Sequence, residues 1–227
     1  MKPPLTGLYR ARAARPSGVS RRRAQPTTGK HLDSVIVTSR YPRPSPAVFA
    51  EAADELDRVR VRPEVHLEEV PAPTRIAPDA LALSIRVGTA ASEDPLATGR
   101  FVLLHDPDEP EAWGGSWRVV CFAHAGLEPE FGDDPMLAQV GWSWLIDSLV
   151  ARGVEPRNIG GTVTRVLSEG FGQLSAEETD VDLEIRASWS PRDHHVGAHL
   201  AAWCDLLSQI SGLPPVPVGL PAVVPGP

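Results

Sequence analysis

Histidines and their neighbouring acids are the residues most able to move protons or hold a metal near neutral pH, and three groupings stand out. His105 and Asp106 lie where an apolar stretch gives way to turn residues, a place that suits a catalytic pair and equally suits ordinary Asp-Pro turn chemistry. His124 is followed at loop spacing by Glu128 and Glu130, which suits an acid/base cluster without demanding one. His195 and His199 are four residues apart, so on a helix they would share a face and could offer two imidazoles to one ion, with His194 beside them. No cysteine or carboxylate stands at ligand spacing to complete that set, and the plainer reading is solvated histidines in a first helical turn.

Signatures of other chemistry are missing. There is no G-x-S-x-G nucleophile elbow, and the glycines of Gly160-Gly161-Thr162 and Gly170-Phe171-Gly172 fit neither phosphate-loop pattern and read as turns. Cys121 and Cys204 each sit in an apolar pattern, where a small buried thiol is expected in place of a reactive one or a disulfide. No cofactor is implied. His105, Asp106 and His124 are therefore the only catalytic candidates, and His195 with His199 the only metal candidates.

A second constellation concerns binding. Five of six expected strands carry one arginine each, namely Arg86, Arg100, Arg118, Arg165 and Arg186. Projected from the outer face of a sheet, they would surround Val102, Leu104, Val120 and Phe122 and make a surface for an anion or an acidic segment. The competing reading is a charge ladder in which Glu68, Asp182 and Glu184 pair with them across strands. The six tryptophans are read first as core anchors, although Trp142 and Trp144 fall on different faces of one helix, and the second face needs a cover.

That helix organises the chain. Asp134 supplies a capping carboxylate and Pro135 suits the first helical position, after which Trp142, Leu145, Ile146, Leu149 and Val150 form one face and Leu137, Val140 and Trp144 the other. Arg152-Gly153 supplies its stop. Before it, Ser45-Pro46 opens an amphipathic helix over 46–60 with Phe49, Ala52, Leu56 and Val59 inward. Strand patterns follow at 64–70, 81–87, 99–105 and 117–124. After the organising helix come strands at 161–168 and 181–189, then a helix over about 194–211 that Gly212, Leu213 and Pro214 terminate. Strict alternation puts Leu81, Leu83, Ile85 and Val87 inward, and likewise Val181, Leu183, Ile185, Ala187 and Trp189. The order αββββαββα with short connections predicts an α+β domain, a largely antiparallel sheet of about six strands with three packed helices.

Composition sets the outer limits. Residues 1–45 hold ten Lys or Arg against one acid, whereas 46–227 hold twelve Arg, no Lys and 28 acids, so the formal net charge of −7 conceals a basic arm on an acidic domain. Residues 1–44 have little to bury and are expected to be a disordered basic extension; 45–213 form the domain; 214–227 form a Pro-rich tail. The acidic domain argues against a nucleic-acid surface on itself, leaving only the arm as a candidate for one. No apolar run approaches a membrane span and no secretory leader is evident, so the expectation is a cytoplasmic protein.

Several stretches in this order, Ala97-Thr98-Gly99-Arg100, Leu103-Leu104-His105-Asp106-Pro107, Val140-Gly141-Trp142-Ser143-Trp144-Leu145, Gly161-Thr162-Val163-Thr164 and Glu184-Ile185-Arg186-Ala187-Ser188-Trp189, together resemble the DUF3000 family. The likeness spans roughly 47–220, includes Gly212-Leu213-Pro214-Pro215, and leaves 1–44 outside. It implies an actinobacterial cytosolic protein, and it carries no activity, cofactor or catalytic residue. The expectation is a non-enzymatic binding or adaptor domain acting through its sheet face or the Trp142/Trp144 helix, with a protein partner or a second copy as occupant. The rival is an enzyme or small-anion sensor with its site near His105, Asp106 and His124.

Overall fold

Alternating side chains need a cover on their apolar side, and the chain supplies it with helices on one face of one sheet. A computed structural model describes residues 46–89, 94–172 and 180–214. The basic segment 1–44, the Ser45 cap and the tail beyond Pro214 lie outside the described residues. In order come α1 (Ala47–Asp57), β1 (Val65–Val70), β2 (Asp79–Val87), β3 (Ala97–His105), β4 (Trp117–Leu127), α2 (Leu137–Ala151), β5 (Arg157–Ser168), β6 (Asp180–Ser190) and α3 (Gly197–Ile210). A short 3-10 turn, Pro129–Asp133, which the sequence pattern does not suggest, precedes α2. The six strands run β1-β2-β3-β4-β6-β5, and every neighbouring pair is antiparallel. No helix among the described residues is long and apolar enough to cross a membrane.

The inward residues are those that alternation selects. Ile85, Phe101, Leu103, Val119, Leu183, Ile185 and Trp189 are fully buried under the helices, together with Leu145, Leu200, Trp203, Leu206 and Leu207. Where a helix presses closest, the strand has no side chain: a Cβ on Gly99 would come within 2.8 Å of Leu207, and one on Gly161 within 2.8 Å of Trp142. Gly160 and Gly161 are thus not turn residues, because they lie inside β5 beside a register irregularity.

Helix ends follow local rules at one terminus and a distant residue at the other. α2 and α3 both close through a left-handed glycine, Gly153 (φ +69°) and Gly212 (φ +70°). The next amides, of Val154 and Leu213, bond back to Leu149 and Ser208 respectively, each at 3.1 Å or less, so both ends are closed in the way their sequences suggest. At the start of α2, Asp134 accepts from the Met136 amide at 2.8 Å, although regular helix begins only at Leu137. Trp142 and Trp144 are both half-buried against the core, and α3 lies beside α2, joined by a two-bonded Arg152–Asp205 pair at 2.6 and 2.8 Å. Val150, expected inward, is instead 68% exposed near the helix end.

The start of α3 is capped from outside. Glu55 of α1 accepts from the amides of Val196 (3.2 Å) and Gly197 (3.0 Å), so a carboxylate meets the positive end of a helix about 140 residues later in the chain. Glu55→Ala should therefore lower unfolding free energy by about 1–2 kcal/mol, a cap together with its charge term, while Glu55→Gln should lose only part of that. Chemical denaturation of the three proteins checks this, and equal midpoints would refute the cap.

Candidate functional site

With helices on one face, the opposite face carries the residues of the other parity, and antiparallel register sorts them into rows. One row reads Ser84, Arg100, Phe122, Arg186, Thr162 across β2, β3, β4, β6 and β5; the next reads Ala82, Val102, Val120, Ser188, Gly160. The half over β2 and β3 is covered, because Ala82, Val102 and Leu104 pack with Val70, Ala72, Ala77 and Trp113. The half over β4, β6 and β5 is open and, with Arg100 and Val102 of β3 at its margin, forms a shallow depression of about 480 Å³.

Its floor is apolar and its flanks are cationic. Val120 is 40% exposed and Phe122 half-buried, and Arg186 lies over the Phe122 ring with its guanidinium carbon 5.4 Å from the centroid. Arg186 also meets Glu184 on its own strand at 2.9 Å. Arg100, exposed on the other side of Phe122, has no ion-pair or hydrogen-bond partner among the described residues. Neighbouring strands are about 4.8 Å apart, which sets the Arg100 and Arg186 backbones about 10 Å apart with Phe122 between them.

The other arginines divide. Arg118 is on the outer face but occupied: it donates to Ser188, to Ser190 at 3.3 Å and to the Asn158 carbonyl at 3.1 Å. Burial without an acid lowers its pKa from the usual arginine range. Asn158, held at φ +48°, and Ser190 both donate to the Trp113 carbonyl. Arg86 stands in the outer row of Thr98, His124 and Glu184. Arg165 does not belong to this face. Its register partner is Leu183, an inward residue, so it emerges on the helix side at the sheet edge and donates to the Asp134 carbonyl at 2.7 Å. The expected cross-strand ladder is also thinner than the sequence suggests, since the Glu184–Arg186 pair runs along one strand and Asp182 pairs with His124 at 3.2 Å.

The residues with catalytic potential are dispersed. His105 is an inward residue, buried between Phe49 and Trp117, with its Nδ1 3.1 Å from Asp79. Asp106 instead accepts from the Asp108 amide at 3.0 Å and so shapes the turn. His124 is on the outer face; it lies seven residues along β4 from Trp117, the register partner of His105, or about 23 Å. His199 is buried and accepts a 2.8 Å hydrogen bond at Nδ1 from Trp189 Nε1, and burial pushes its pKa down to about 4. His195 is exposed and lies 3.5 Å from Glu55. Among the described residues no three His, Cys, Asp or Glu side chains gather to hold a metal. Cys121 and Cys204 are free and buried; burial raises the Cys204 thiol to about 12 and Cys121 well above its ordinary value, which leaves both unreactive at neutral pH.

Asp79 and Asn158 are unmarked in the sequence, and Trp113 reads there only as a core anchor. Asp79 meets His105 through the β2–β3 register, and Asn158 owes its role to a left-handed backbone; no short-range pattern announces either.

An α+β domain built on one antiparallel sheet, helices over one face and an arginine-flanked floor on the other, is the class this architecture defines. The model of a family described as a protein of unknown function, DUF3000, matches residues 45–219, and the chain belongs to that family. No curated protein and no solved structure matches it significantly.

Proposed function

We propose that this domain is a binding module whose open outer sheet face takes an acidic, partly apolar segment of a protein partner. The row Arg100, Phe122, Arg186 carries the reading: a ring with an arginine on each side, one of them without a partner among the described residues, beside the exposed Val120. Arginine forks suit carboxylates, and Phe122 with Val120 suits an aliphatic or aromatic side chain held between them. In a polyproline II segment, with three residues per turn, residues three apart share a face about 9 Å apart, so an acid-x-x-acid spacing with an apolar residue inside would span the two arginines.

A polyanion is a poorer fit. Residues 46–227 carry twelve Arg against 28 acids, so the domain repels nucleic acid at long range, and the floor of the depression offers one aromatic ring for base stacking. The reading of an enzyme or anion sensor near His105, Asp106 and His124 gains no support from a common cavity, since His105 and His124 stand on opposite faces.

Selection from a random twelve-residue peptide display library on the immobilised full chain tests the proposal. Acidic pairs flanking Leu, Val or Phe should be enriched, and Arg100→Glu/Arg186→Glu should retain none of them. Enrichment with no acidic bias, equal retention by the double variant, or retention of a single-stranded oligonucleotide in place of peptides would overturn it.

A further inference from the structure

The two edges of the sheet are built differently. β1 is six residues long, carries Glu68 and Glu69, and is followed by Pro71 and Pro73, the usual features that keep an edge from pairing with another chain. β5 is twelve residues long, almost wholly exposed, and contains no acid, no lysine and no proline. Among the described residues its one neighbour is β6, so one side of its backbone is unpaired within the described sheet. Beside its far end the 3-10 turn brings another apolar side chain to the surface: Leu167 is 46% exposed and Phe131 42%, with Gly132 packed close to Leu167.

We propose that β5 pairs antiparallel with β5 of a second copy of this chain, about a two-fold axis through Val163, joining two six-stranded sheets into one. This inference rests on the edge and is independent of the outer-face reading. Directly opposed residues must share a sheet face, which fixes the parity of the register. With the axis at Val163, Leu167 comes toward Ile159 of the second copy, a partly buried apolar residue packed on the main core in the irregular stretch between Arg157 and Gly160. On the same side Arg165 meets Gly161, a position that admits no side chain and is covered by the Trp142 ring. Each guanidinium then lies against an aromatic surface of the other copy. An axis at Arg165 would set two arginines face to face. On the outer face the same register sets Thr162 against Thr164, twice, and both are exposed.

Sedimentation velocity on the full chain in the tens-of-micromolar range should show twice the mass of one chain. Thr162→Glu/Thr164→Glu gathers four carboxylates at the axis and should dissociate the pair at least tenfold more readily. Thr162→Lys/Thr164→Glu sets lysine against glutamate at both positions and should restore it, with the same far-UV circular dichroism. A monomeric wild-type chain, a dimer that persists in the double-Glu protein, or a monomeric Lys/Glu protein would overturn the proposal.

Discussion

Gly161→Ala is expected to destabilise the domain by about 3 kcal/mol, the upper end of what an added methyl costs in a packed site. An added Cβ would collide with the Arg186 carbonyl oxygen and stand 2.8 Å from the Trp142 ring and 3.0 Å from the Ala187 Cα. Two of these three neighbours are backbone, which cannot rotate away, so β5 must lift from β6 or the register must slip. Gly99→Ala makes the useful contrast. Its nearest neighbour is the flexible end of Leu207 at 2.8 Å, with the Phe122 carbonyl at 3.0 Å, and its cost should be about 1–2 kcal/mol. Urea unfolding of both variants checks the order; a Gly161→Ala protein within error of wild type would mean that β5 does not lie where the register places it.

Acid should weaken the fold through His199. An unfolded histidine takes up its proton near 6.5, whereas burial holds His199 neutral down to about 4, even though Asp193 and Glu55 nearby favour the charged form. Between those values the unfolded chain binds more protons than the folded one, so stability falls as pH drops through the window. The contribution is complete above pH 6.5, and below pH 4 this residue removes no more. The gap corresponds to about 3 kcal/mol. His199→Gln keeps an acceptor for Trp189 Nε1 and removes the titration, so its stability profile from pH 7 to pH 4 should be about 3 kcal/mol flatter than that of wild type. Parallel profiles would mean that His199 titrates freely, and the buried Trp189–His199 bond would then be wrong.

These residues also show where the sequence speaks and where it does not. β6 alternates along 181–189 because one face is buried and the other is not, and β2 alternates in sequence although Ala82 on its other face is covered too, so the inward residues of both can be named from spacing alone. β5 is exposed on both sides along most of its length, so Thr-Val-Thr-Arg-Val-Leu-Ser offers no clear rhythm, and the direction of Arg165 follows only from its pairing with Leu183. The stops of α2 and α3 are legible because a left-handed glycine and the residue after it act locally. The start of α3 is not, because Glu55 supplies the cap from another element. The same holds for the histidines: spacing sets His195 and His199 four apart, but Trp189, on a strand, decides that His199 points into the core. In the binding row, residue types were visible from the start. That Arg100, Phe122 and Arg186 stand side by side, with Arg118 withdrawn into the Trp113 corner, depends on a register that no local pattern encodes.

The outer face is tested most directly by fluorescence anisotropy with a labelled twelve-residue peptide carrying two glutamates three apart around a leucine. Wild-type protein should bind it, more weakly as salt rises. Phe122→Ala should weaken it about tenfold and Arg100→Glu/Arg186→Glu more than tenfold, about 1.4 kcal/mol or above, while Arg58→Glu at the end of α1, an exposed arginine paired with Asp54, should bind as wild type does. An unchanged affinity in Arg100→Glu/Arg186→Glu, or an equal loss in Arg58→Glu, would contradict the account.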